Sequence, residues 1–352
     1  MADLSSIDFI INLLIIAVAL VFLNITSDIV IKNATKISAM TRLGKTTIGF
    51  TLISLSTTLP ELTVALSATT SGGAALSIGN AIGSNIFNIS AILGIGAVIL
   101  GLKIFFTARK NKNLSFRSEN IIQVLVESEL SNIDFGLFIA SVVPLALIYV
   151  STRAAWVVGL VLLIIFLIYV YRLSKIRITK EEADTLDAPQ EKGNVKKFVL
   201  LTVIGALGVV ISANFMVDAT ISIATSAGIS QQVIGATIVA LGTSMPELTI
   251  GVKSILRGHP NLALGNIIGA AFFNTTLILG ITLFVPTLLD STFALNMGVY
   301  LNLIIFSIII NTFFWYFLSR KQITWKEGIV FLLIYALFII TTLDAGIIGI
   351  MH

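Results

Sequence analysis

The sequence predicts an all-α membrane protein whose ten transmembrane helices form two inverted five-helix repeats. Three observations predict it. The chain of 352 residues is 56% apolar and 11% charged. Soluble domains carry about 25% charged residues, so a water-soluble globule is excluded. The basic residues fall in every second loop. The block 49–94 returns as 235–280 without a gap.

A spanning helix needs about 20 predominantly apolar residues. Apolar runs of that order lie at about 7–25, 46–69, 74–101, 133–151 and 154–171, and again at 197–214, 231–254, 260–284, 296–318 and 327–350. The first run lacks the basic flank of a signal peptide, since Asp3 and Asp8 are the charges around its start. It reads as a span. The first five runs make one repeat over 1–173. A charged, mixed-sign stretch at 174–196 reads as a solvated cytoplasmic linker. The second repeat occupies 197–352.

Charge fixes the orientation. Lys32, Lys36, Arg42 and Lys45 follow the first run. Lys103, Arg109, Lys110, Lys112 and Arg117 follow the third, and the linker holds the next cluster. Lys253 and Arg257 follow the seventh run; Arg320, Lys321 and Lys326 follow the ninth. Of the 22 basic residues, only Arg153 falls on the other side. Basic loops stay cytoplasmic, which puts both termini outside the cell membrane. A nucleic-acid surface has no reason to alternate this way, so the pI near 9.2 reflects topology. The chain has no cysteine and two histidines, His259 and His352. That leaves no thiolate chemistry and almost no material for a histidine metal site.

The offset of 186 positions carries Glu61 to Glu247, Gly49 to Gly235, Gly79-Asn80 to Gly265-Asn266, Gly83 to Gly269 and Asn88 to Asn274. Five spans per repeat is an odd number, so the second repeat enters the membrane from the opposite side. Such inverted repeats bind their cargo near the bilayer midplane, at the repeat interface.

Two segments stand out there: Ser56-Thr57-Thr58-Leu59-Pro60-Glu61 and Gly242-Thr243-Ser244-Met245-Pro246-Glu247. Proline removes a backbone donor from a helix, and a carboxylate in hydrocarbon costs at least about 2.5 kcal/mol. Both costs are placed twice. Glu61 and Glu247 are the only ionisable residues that fall near the centre of a predicted span. Two facing carboxylates repel, and a divalent cation between them cancels both charges. Calcium takes six to eight oxygens, at about 2.3–2.6 Å. Thr57 and Thr243 lie one helical turn before the glutamates, with Thr58 and Ser244 beside them. The prolines should free carbonyls near Ser54 and Ala240. No nitrogen or sulfur ligand is at hand, which disfavours zinc and copper. The glycines of Gly79–Asn88 and Gly265–Asn274 suit close helix packing, and Asn80, Asn88, Asn266 and Asn274 either bond between helices or line the ion path. An intramembrane protease finds no midplane aspartate, histidine or lysine in this chain. A channel usually builds its pore from oligomeric symmetry, not from an internal inverted pair.

These motifs resemble the two alpha-repeats of the calcium/cation antiporter superfamily, and within it the sodium/calcium exchangers. The family pattern is close to G-T-S-x-P-E followed by G-N-x-x-G-S-N-x-x-N, and the likeness extends over nearly the whole chain. The resemblance implies alternating access, no enzymatic activity and no bound cofactor. It implies calcium between Glu61 and Glu247, helped by Thr57 and Thr243. An inner sodium site would use Thr57, Ser84, Glu247 and the carbonyl of Ser54. An outer one would use Glu61, Thr243, the carbonyl of Ala240 and a serine that falls at Ala270. Asn88 and Asn274 match the polar pair flanking the central site, with Thr58 and Ser244 as second-line groups. The sequence departs from the pattern where Ala270-Ala271 replace Ser-Asn, and where Ser56 and Thr58 replace Gly and Ser. The missing hydroxyl leaves two counter-ions open, sodium or protons carried by the glutamates.

Overall fold

The computed structural model describes residues 6–41, 48–70, 74–110, 122–123, 155–173, 194–226, 237, 239–288, 297–320 and 322–348. Nearly all of them are helical. The helices are α1 (Ser6–Thr41), α2 (Gly49–Thr57), α3 (Leu59–Thr70), α4 (Ala74–Phe87), α5 (Leu93–Lys110) and α6 (Ala155–Leu173). The second half holds α7 (Val195–Ser226), α8 (Ala240–Thr243), α9 (Met245–Leu256), α10 (Pro260–Phe273), α11 (Leu279–Leu288), α12 (Met297–Ser319) and α13 (Trp325–Ile348). Two-residue strands, β1 (Ile122–Gln123) and β2 (Gln322–Ile323), pair antiparallel across the halves.

Among the described residues, five helices are long and apolar enough to cross a membrane, and the bent pair α2–α3 makes a sixth. The expected span 133–151 lies outside the described residues. The first span differs from expectation. The apolar run ends at about residue 25, but α1 runs on through Lys32 and Lys36 to Thr41. No Gly or Pro interrupts it, and its second half buries Val30, Ile31, Ala34 and Ile37 against Ile53, Ala206, Ile250 and Leu262. The partner helix α7 is likewise longer than the expected 197–214. Lys103, Lys196, Lys197 and Lys253 also sit on helices, not in loops.

The repeat extends to the secondary structure. The 186-residue offset carries α3 onto α9 and α4 onto α10, residue for residue at both ends. It also carries a π-type turn at Asn88–Ile92 onto one at Asn274–Ile278. Neither turn is visible in residue pattern, since neither NISAI nor NTTLI carries the Gly or Pro that marks a helix irregularity. Such turns recur at functional sites. The last helices follow a shorter offset of 169. Gly159 on α6 approaches the Gly280 carbonyl of α11, and Gly328 on α13 approaches the Gly94 carbonyl of α5. Gly94 and Gly280 are themselves 186 apart, so α6 and α13 each pack on the opposite half by an equivalent contact.

The halves also interlock around α2 and α10. A Cβ on Gly49 would lie 2.9 Å from the Asn266 nitrogen, and one on Gly269 would lie 2.6 Å from the Phe50 carbonyl. Only glycine allows this approach. The two Pro-Glu segments meet in the interior, where Ser244 of one reaches Glu61 of the other. The larger apolar core surrounds them, with Phe314, Phe331 and Phe338 among its fully buried side chains. Helices α1 and α7 lie along one another on the outside, with Phe9, Leu14, Phe22, Ile211 and Phe215 exposed, as a lipid-facing surface requires.

Candidate functional site

The Pro-Glu segments break where the sequence suggested, with a shift of detail. The helical run stops at Thr58 (φ −82°, ψ 5°) and at Ser244 (φ −87°, ψ 8°). A new helix then starts, and α2 and α3 meet at 47°. Pro60 and Pro246 therefore fall in the first turn of α3 and α9, where the missing N–H has no partner to lose. The expectation that the prolines free carbonyls near Ser54 and Ala240 needs one qualification. The Ser54 and Ala240 carbonyls themselves still accept the Thr58 and Ser244 N–H groups, at 2.9 and 3.1 Å, because the break comes later. They become hubs for hydroxyls as well.

Glu61 and Glu247 are both fully buried, each in the first turn of its helix. Free N–H groups and the helix dipole favour a negative charge there. The two carboxyl groups lie within electrostatic reach of one another. Ser244 Oγ donates to Glu61 Oε1 at 3.1 Å. Glu61 Oε2 and both Glu247 oxygens accept no hydrogen bond among the described residues. Three carboxylate oxygens thus stand buried and unpaired, which is costly in a dry interior unless a cation meets them.

The surroundings repeat in mirror fashion. Thr57 Oγ1 lies 3.4 Å from Asn266 Oδ1 and 3.3 Å from the Ser54 carbonyl. Thr243 Oγ1 lies 3.2 Å from Asn80 Oδ1 and 3.4 Å from the Ala240 carbonyl. Asn80 and Asn266 thereby turn their oxygens to hydroxyls, and their buried Nδ2 groups have no partner among the described residues. Asn88 and Asn274 open the two π-type turns. The turn of Asn88 packs on α9, the helix of Glu247, and that of Asn274 packs on α3, the helix of Glu61.

Then the mirror fails. Ser84 Oγ lies 3.3 Å from the Ala240 carbonyl and 3.4 Å from Thr243 Oγ1. The expectation grouped Ser84 with Thr57, Glu247 and the Ser54 carbonyl. The structure sets it instead beside Ala240 and Thr243, with Glu61 in reach, because α4 packs on α8. The methyl group of Ala270, fully buried, takes the equivalent place next to Gly269, which abuts Ser54. Thr58, the counterpart of Ser244, donates to the Ser54 carbonyl at 2.8 Å and not to Glu247. Ser54 itself donates to the Phe50 carbonyl. One corner, around Glu61, therefore holds Ser84, Thr243, Ser244 and the Ala240 carbonyl. The other, around Glu247, holds Thr57 and the Ser54 carbonyl without the second hydroxyl.

The residues expected at or beside the ion sites (Ser54, Thr57, Thr58, Glu61, Ser84, Asn88, Ala240, Thr243, Ser244, Glu247 and Asn274) are all buried. Asn85, which sequence reasoning missed, also matters: it is 6% exposed and bonds Asn274 and Thr275. The signal for it lay in the comparison of repeats, since its counterpart is Ala271. The donor set is carboxylate, hydroxyl, amide and carbonyl oxygen, which suits a hard cation.

Known proteins share this architecture. Residues 11–175 and 197–343 match the family described as sodium/calcium exchanger protein. An uncharacterized membrane protein of Methanocaldococcus jannaschii is 33% identical over 254 residues, covering 71% of this chain and 74% of that protein. The sodium/calcium exchanger MaX1 of Methanosarcina acetivorans is 28% identical, over 78% of this chain and 84% of its own. Among solved structures, that of the sodium-calcium exchanger NCX_Mj soaked with sodium and strontium superposes with a TM-score of 0.71. It has 25% identity and covers 94% of this chain and 97% of that one.

Proposed function

The chain belongs to the sodium/calcium exchanger family, and from that premise we propose that it is a secondary active antiporter that exchanges calcium for sodium by alternating access. The cations bind between Glu61 and Glu247. Ten helices form two inverted repeats, and both termini lie outside the cell membrane. The observation that carries this reading is the pair of fully buried glutamates, on equivalent helix starts, with three carboxylate oxygens unpaired among the described residues. A calcium ion there neutralises both charges. When it leaves, monovalent cations replace it, one at each corner. The corner of Glu61 offers Ser84, Thr243 and the Ala240 carbonyl to sodium. The corner of Glu247 offers Thr57 and the Ser54 carbonyl. Asn88 and Asn274 flank the centre.

A second reading has the same fold with protons as counter-ion. What favours it is Ala270, which leaves the Glu247 corner one hydroxyl short. The full chain in sealed vesicles separates the two. An outward sodium gradient drives calcium uptake under the first reading, and a pH gradient alone does not. Uptake driven by the pH gradient and indifferent to sodium overturns it.

A further inference from the structure

The amide pair Asn88 and Asn274 is equivalent by sequence but not by its bonding. Both side chains are fully buried. Asn274 Nδ2 donates to Asn85 Oδ1 at 3.0 Å, and its own Oδ1 has no partner among the described residues. Asn88 has no partner at either end among the described residues. The difference traces to one position in each repeat. Asn85 stands on α4, and its counterpart Ala271 on α10 carries only a methyl group.

The bonds of Asn85 fix a direction. Its Nδ2 lies 3.5 Å from the Ala271 carbonyl and 3.0 Å from Thr275 Oγ1. A backbone carbonyl can only accept, so the nitrogen of Asn85 faces Ala271 and its oxygen faces Asn274. That oxygen can only accept as well. Asn274 must then present its nitrogen to Asn85 and turn its oxygen the other way. The π-type turn that Asn274 opens packs on α3, in whose first turn Glu61 lies. We propose that Asn85 is a positioning residue that locks the Asn274 carboxamide with its oxygen toward the cation, whereas the amide of Asn88 is left to turn either end. The cation then meets one fixed amide oxygen, from the second repeat, and one adjustable amide, from the first. This rests on the reading of the site as a calcium site.

The cost of losing the lock is specific. Without Asn85, an Asn274 that rotates by half a turn offers an NH2 group to a cation, which repels it. A carboxylate at the same place has oxygen at both ends and needs no lock. Calcium binding to the purified full chain, by titration calorimetry, and calcium uptake into vesicles are therefore measured for the parent chain, Asn85→Ala, Asn274→Asp and the double variant. Asn85→Ala is expected to raise the calcium Kd about tenfold, the scale of one oriented polar contact, with maximal uptake largely kept. In the Asn274→Asp background the same change is expected to leave Kd within about twofold. Equal loss in both backgrounds makes Asn85 a packing residue and overturns the proposal; so does no loss in the parent background. If the parent chain binds calcium but shows no exchange, the antiporter reading fails and the four Kd values still decide the role of Asn85. If the parent chain binds no calcium, both are lost.

Discussion

The corner around Glu61 and the corner around Glu247 derive from the same repeated motif, yet they are furnished differently. Glu61 accepts a hydroxyl from Ser244, across the repeat interface, and has Ser84 and Thr243 near it. Glu247 accepts no hydrogen bond among the described residues, and its half of the cage has Ala270 where Ser84 would recur. Thr58 turns to the carbonyl of Ser54 and not across the interface. The difference teaches where the two halves are under separate demands. A polar group survives in a dry interior only with a partner or a cargo. The Glu61 carboxylate is partly satisfied by protein, whereas the Glu247 carboxylate depends more on what it binds.

The comparison breaks first at Ser244. Ser244→Ala removes the side-chain hydrogen bond seen to Glu61 among the described residues, a charge-assisted contact of about 1.5–3 kcal/mol. Calcium KM in vesicle uptake should rise tenfold or more, on the order of that energy. Thr58→Ala, its counterpart, should move KM by less than threefold, roughly the scale of a neutral bond. Equal effects would mean that the corners are alike after all. Next come the serines. Ser84→Ala should weaken sodium activation about fivefold, and Ala270→Ser should strengthen it by a smaller factor. No response to either substitution would show that the hydroxyls do not set sodium affinity.

Smaller effects act through packing. Gly269→Ala places a methyl group against Phe50 and Ser54, beneath the Glu247 corner, and should cost about 1–3 kcal/mol of stability, read as a lower unfolding temperature in detergent. Smallest is the ion pair of Asp28 on α1 with Lys253 and Arg257, at 2.6 and 3.0 Å. Asp28 is 41% exposed, so Asp28→Asn should change stability by under about 1 kcal/mol.

Much of this arrangement is legible in residue order. The Pro-Glu segments, their offset and the buried amides are polar or backbone-breaking groups in apolar runs, so each announces itself. What escaped is governed by contacts between segments. The continuation of α1 past Ile25 follows from burial of Val30, Ile31 and Ala34 against α7 and α2, which an apolar-run criterion does not see. The grouping of Ser84 with Ala240 and Thr243 depends on how α4 crosses α8. The role of Asn85 depends on a backbone carbonyl 186 positions away. The π-type turns at Asn88 and Asn274 carry no compositional mark.

The central claim is that both glutamates hold one cation between them. Calcium binding to the purified full chain, measured by titration calorimetry for the parent, Glu61→Gln and Glu247→Gln, tests it most directly. The account predicts saturable binding that sodium competes away in the parent, and loss of calcium binding in each variant while the variants keep the parent's size-exclusion profile. Calcium binding of parental affinity in either folded variant would contradict it.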